Sequence, residues 1–191
     1  MQEAHIQVGV PWVAALLGAA YALAGRSSEA LSLLEQAVAQ ASAMHFMFDH
    51  ARRVVWLGEA SRRAGRLDEA YTQAQRALAF AQAHQERGHA AYALWLLGEV
   101  AAQRASREAA QAEAYYQQAL ALAEELGMRP LQAHCHRGLG TLYAKTGQAE
   151  QARAALSAAI ALYSTMDMTF WLPQTEAALA QVCACSHTTA G

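Results

Sequence analysis

A chain of 191 residues holds one sizeable core or a short array of repeats. Its 14 basic and 16 acidic side chains leave a net charge of −2, which argues against a general nucleic-acid binder or a polybasic membrane anchor. Plentiful alanine, only 3 prolines and few β-branched residues argue against a domain with much sheet and point to an all-α fold.

The opening MQEAHIQ has no basic segment ahead of an apolar one, so no secretory leader is expected. The uncharged run from Val8 to Gly25 is broken by Pro11 and Gly18 and is rich in alanine. It is shorter than the roughly 20 strongly apolar residues that span a bilayer, so it reads as a buried helix. Three cysteines, an odd count in a chain too large to need staples, suit a reducing compartment, and a cytoplasmic location is expected.

From there the chain repeats itself. Leu17-Gly18, Leu57-Gly58, Leu97-Gly98 and Leu139-Gly140 are 40, 40 and 42 residues apart. The alanine pairs Ala30/Ala37, Ala70/Ala77, Ala112/Ala119 and Ala152/Ala159 each keep a spacing of 7, two turns on one helical face. Between the two ladders lie AGRSSEA, AGRLDEA and TGQAEQA, where Gly25, Gly65 and Gly147 are placed to end a helix in the left-handed conformation. The third unit has QRASREAAQ there and two extra residues, which predicts a longer or more helical turn near Ser106. The units fall at about 11–50, 51–90, 91–132 and 133–172, followed by a closing helix at about 173–185 and a disordered tail at 186–191. A fixed period of this size predicts an all-α solenoid of antiparallel helix pairs, in which each pair covers the apolar flank of the next. The glycines at 18, 58, 98 and 140, set opposite the alanines of the second helix, would let the paired backbones approach closely. Gln174, Thr175, Glu176 and Gln181 give the closing helix a polar face. The first helix has no charge from Val10 to Ala24, which predicts either earlier repeats or self-association through this N-terminal helix.

The Leu-Gly dipeptide followed by Tyr21 and Tyr143, with alanine positions on the second helix, resembles the tetratricopeptide repeat family, which implies a right-handed superhelical solenoid. Ser61 and Ala101 depart from the tyrosine position, and the large residue expected three places before leucine is Ala14, Val54, Leu94 or His136. The stretch from Leu122 to Ala180, MDMTFW above all, is similar to the C-terminal repeats of large bacterial regulators that carry a class III nucleotide cyclase and a P-loop ATPase module. That resemblance implies, as the alternative function, an effector-sensing array that binds a small anionic ligand.

The family resemblance also implies a concave groove lined by the first helix of each pair. Its positions hold Trp12, Arg52, Val55, Glu59, Arg62, Arg63, Tyr92, Trp95, Glu99, Gln103, His134, Arg137, Thr141 and Lys145, with small residues such as Ala15 and Ala144 between them. Aromatic and arginine side chains most often carry binding energy, so a protein or peptide partner with acidic and aromatic or apolar groups is expected. The chaperone-tail clamp of this family uses Lys and Asn, and Asn is absent from the chain.

Chemistry is not expected. His134, Cys135 and His136 are consecutive, hence about 100° apart on a helix, and cannot all bind one ion. Cys183, Cys185 and His187 lack the two-residue gaps of zinc knuckles. Cys135 reads as a small core residue and His136 as an interior filler. No nucleophile elbow, phosphate loop or metalloprotease motif occurs, so no catalytic residue, metal or cofactor is assigned. Arg52-Arg53 and Arg62-Arg63 are candidates for a phosphate-binding patch.

Overall fold

Alanine-rich segments punctuated every 20 residues or so by a residue that can turn left-handed fold into helical hairpins. The computed structural model describes the backbone of residues 2–45, 47–104 and 108–188, and side chains within those limits from 11 to 184. Among the described residues nine helices and no strand are present: α1 (Gln2–Leu23), α2 (Ser27–Ala43), α3 (His50–Arg63), α4 (Leu67–Ala83), α5 (Arg87–Arg104), α6 (Ala109–Glu125), α7 (Arg129–Lys145), α8 (Ala149–Thr165) and α9 (Leu172–Thr188). The fold is therefore all-α and built of consecutive helix pairs, as the period predicts. The turn expected near Ser106 lies outside the described residues, as does the tail from 189 onward.

The chain forms two compact units, one up to Leu96 and the other from Leu97, with the division inside α5. In the first unit α1 packs on α2 and α3, α2 on α3, and α3 on α4. In the second, α6 packs on α7, α7 on α8, and α9 on both α7 and α8. No described helix is long and apolar enough to cross a membrane.

The hairpin turns close as the sequence implies. Gly25, Gly65 and Gly147 have φ of 77°, 78° and 77°. The following residue donates back across the turn: Arg26 N to Tyr21 O, Arg66 N to Ser61 O and Gln148 N to Tyr143 O, each at 2.9 Å. These six-to-one bonds satisfy carbonyls that would otherwise be orphaned at the helix end. The turns joining one pair to the next use the same left-handed residue without a glycine signal, at His45, Gln85 and Asp167, with Gly127 the exception. Nothing in the sequence around the first three marks them as left-handed positions.

The alanine ladder is the inner face of the second helices. Ala30, Ala37, Ala70, Ala77, Ala112, Ala119, Ala152 and Ala159 are all at 0 % exposure. The glycine ladder does something different from what the sequence suggests. It lies close to the second-helix backbone at Ala30 O and Ala70 O, but its main role is to be a socket for a large side chain. A Cβ on Gly18 would stand 2.7 Å from Leu34 Cγ, one on Gly98 2.8 Å from Tyr116 Cδ1, and one on Gly140 2.6 Å from Leu156 Cγ. Leu34, Tyr116 and Leu156 occupy one repeat position, four residues after the first alanine. In the second repeat that position is Ala74, too small to fill the Gly58 socket, and Leu96 of α5 fills it instead, 2.7 Å from the Cβ position. The register position of Leu96 is Gly138 in the last repeat, where a side chain would collide with the already large Tyr116.

On α1, Ala15, Gly18 and Ala22 face the unit, whereas Trp12, Val13, Leu16, Leu17 and Leu23 are exposed, so only one side of this helix is buried. The helix runs through Pro11 and back to Gln2.

Candidate functional site

Helices α3, α5 and α7 carry most of the side chains predicted to meet a partner, and each unit gathers its own set. In the first unit Arg52 of α3 reaches toward α5, and its guanidinium carbon lies 3.5 Å above the ring of Tyr92 and 5.2 Å from that of Trp56. Such stacking holds a cation against an aromatic face while its edge stays free to donate. Two turns further along, Glu59 accepts from Arg63 Nε at 3.0 Å and Nη2 at 2.9 Å, and Arg62 Nη2 lies 3.7 Å from the same carboxylate. Three charges thus share one short ridge on α3.

The four arginines do not form one phosphate patch. Arg53 is at 0 % exposure, and burial pushes its guanidinium pKa down while Asp49 opposes the shift. Arg62 and Arg63 share Glu59. Val55 and Trp95 are core side chains, at 1 % and 5 % exposure. Trp12 stands 41 % exposed on α1. At the N-terminal end of α3, His89 joins two carboxylates, with Nδ1 3.0 Å from Glu86 and Nε2 3.4 Å from Asp49.

In the second unit the predicted pair His134 and Arg137 on α7 is gathered by residues the groove reading did not name. His134 Nδ1 lies 2.7 Å from the hydroxyl of Tyr163. Trp171 meets the imidazole edge-on at 5.1 Å, and the Arg137 guanidinium lies 4.7 Å over the indole. Phe170 extends the stack, 4.9 Å from Trp171 and half exposed. Tyr163 takes the register position of Ala41, Ala81 and Ala123, all fully buried, and burial raises its phenol pKa. The available signal was that one large residue in an otherwise all-alanine column. Glu99 is buried and accepts from Tyr116 Oη at 2.9 Å, so it serves the core. Gln103 is exposed, and Thr141 donates to Arg137 O at 2.9 Å.

Arg52 Nη1 and Arg137 Nε are both buried nitrogens with no hydrogen-bond partner among the described residues. A buried donor of a charged group left unpaired is costly, and the same cost falls on Arg53 Nε and Nη1 in the core.

A cleft of about 690 Å³ opens between α7, α8 and α9, lined by Thr141, Ala144 and Lys145, by Ala149, Glu150 and Leu156, and by Ala178, Gln181 and Val182. Cys135 is at 0 % exposure and burial raises its thiol pKa, while His136 is half-buried and its pKa is lowered by burial.

Residues 101–165 match the tetratricopeptide repeat family model. The fold is similar to BtubC (BKLC) from P. vanneervenii, with a TM-score of 0.69 and 21% identity over 91% of this chain and 72% of that one. It is also similar to a putative kinesin light chain of Podosopora anserina with nearly identical TPR-like repeats, with a TM-score of 0.60 and 18% identity over 93% of this chain and 95% of that one. At these identities the likeness is one of fold: a solenoid of tetratricopeptide-like helix pairs. No curated protein matches the chain in sequence. Tetratricopeptide repeats are in general non-catalytic modules for protein–protein interaction.

Proposed function

We propose that the chain is a non-catalytic interaction module that holds a peptide or partner domain against the first helices of its pairs. The partner is acidic, with aromatic or apolar anchors. The observation that carries this reading is the pair Arg52 and Arg137. Each is stacked on an aromatic ring, and each keeps a buried guanidinium N–H that no described residue accepts. Both side chains are half-buried, so a partner carboxylate would pair with each guanidinium at its accessible side with charge assistance while the stacked rings supply apolar area. Attraction to acidic groups would act mainly on the rate of encounter and on partner choice.

The test is selection from a display library of random peptides, followed by affinity measurement. Acidic sequences are expected to emerge, and Arg52→Ala and Arg137→Ala to weaken their binding by about tenfold or more, with helicity retained. Recovery of sequences without acidic residues, or affinity indifferent to both substitutions, would overturn the reading. Trp95 is unsuitable for this test, because a side chain only 5 % exposed cannot be removed without opening the core.

The stripe Trp12, Leu16 and Leu23 on α1 supports a second contact, self-association through this helix, since an exposed apolar row of this kind marks an interaction surface. Sedimentation that depends on concentration in the wild type and not in Leu16→Glu is the expected result, and a monomer at every concentration would refute it.

A further inference from the structure

The cleft between α7, α8 and α9 has the size of a small-molecule site, which typically encloses about 300–1,000 Å³. Its lining is chemically lopsided. Ala144, Ala149, Leu156, Ala178 and Val182 make the wall aliphatic, and none of the described lining residues is aromatic. A flat heterocycle would find no face to stack on there, whereas a flexible hydrocarbon chain would find only aliphatic walls.

The polar groups fall into two kinds. Glu150 is already neutralised, because Arg153 donates to its carboxylate one turn along α8. Lys145 has no carboxylate within ion-pair distance among the described residues. Its ammonium is turned toward Ala102 O of α5, at 3.5 Å, the outer limit of a hydrogen bond, and so lies on the side of a second, smaller cleft that Lys145 also lines. Lys145 is also the sole lysine of the chain, with every other basic residue being arginine. Swung toward α8, the exposed Lys145 side chain would bring the cleft one positive charge, which matches a monoanion better than a phosphate dianion. Gln181, on the opposite wall, brings an amide able to donate to the same head group.

We infer that this cleft binds a small amphiphilic carboxylate, with the aliphatic chain between α8 and α9 and the head group at Lys145. No protein partner is required, so the inference stands or falls separately from the interaction surface at Arg52 and Arg137. It does give the sensing of a small anionic ligand, the alternative function drawn from the sequence, a definite place and ligand class.

The experiment uses the full chain and decanoate below its micelle concentration, followed by calorimetry, with decanol and decyltrimethylammonium as probes of the head group. Saturable one-to-one binding of decanoate, with decanol weaker and the cation not bound, is the expected result. Lys145→Met is expected to weaken decanoate about tenfold, and Ala144→Trp, at an exposed position on the cleft wall, to abolish binding by filling it. Unchanged melting temperatures of the two variants show that they fold. Absence of saturation in the wild type, equal affinity for all three head groups, or binding indifferent to both substitutions would each overturn the inference.

Discussion

Gly138 shows what a single residue without a side chain can be for. Its missing Cβ would lie 2.5 Å from Cε1 of Tyr116, a ring that is 1 % exposed and tied by its hydroxyl to Glu99. The ring cannot swing aside without breaking that bond, so Gly138→Ala should destabilise the protein by about 1–3 kcal/mol. Tyr116→Leu in the same chain should recover part of the loss. Urea denaturation of the two single variants and the double variant checks both statements. Histidines provide a second prediction at this scale. Burial holds His136 and His50 below the ordinary imidazole value, partly opposed by Glu124 and Glu86 respectively. The unfolded chain therefore binds protons that the folded chain refuses as the pH falls through about 6.5. The stability these groups contribute is present above that value and lost below it. His136 takes the register position of Ala14, Val54 and Leu94, so His136→Leu should reduce the drop in urea midpoint between about pH 7.5 and about pH 5.5. An unchanged drop would mean that other groups cause it.

At the scale of the helix and its turns, two kinds of left-handed cap alternate along the chain. Gly65 has φ of +78° with open space around its Cβ position, so Gly65→Ala would introduce backbone strain and no collision. A loss of about 1 kcal/mol is expected. Gln85, at φ 58°, occupies the equivalent conformation with a side chain, and Gln85→Gly should gain up to about 1 kcal/mol. Thermal melts of both variants measure the contrast, and shifts of the same sign would contradict it. Side-chain size is traded between neighbouring helices by the same logic. Ala74 leaves the Gly58 socket empty and Leu96 fills it, whereas Tyr116 overfills its own socket and Gly138 makes room. Leu96→Ala should then cost about 2–5 kcal/mol, because the α4 residue at the socket position is only Ala74.

For the molecule as a whole, the division into two compact units makes a statement about energetics. Gly58 meets Leu96 and Gln73 in the first unit, and Gly140 meets Leu156 in the second, with no partner in common. The destabilisation from Gly58→Ala and that from Gly140→Ala should add to within about 0.5 kcal/mol in a double-mutant cycle. A larger interaction energy would show that the two sockets are coupled through the repeats between them.

The sequence by itself determined the all-helical class, the helix pairs, the alanine face and the glycine turns, because each follows from local preference repeated at a constant interval. Arg52 and Arg137 were groove candidates through the family resemblance, and the structure shows each half-buried and stacked on a ring. Tertiary structure alone decided which large residue fills which socket, that Val55, Trp95 and Glu99 belong to the core, and that Tyr163 and Trp171 assemble around His134 and Arg137. The physical reason is that a repeat position dictates a direction, while the volume available in that direction is set by side chains from helices tens of residues away.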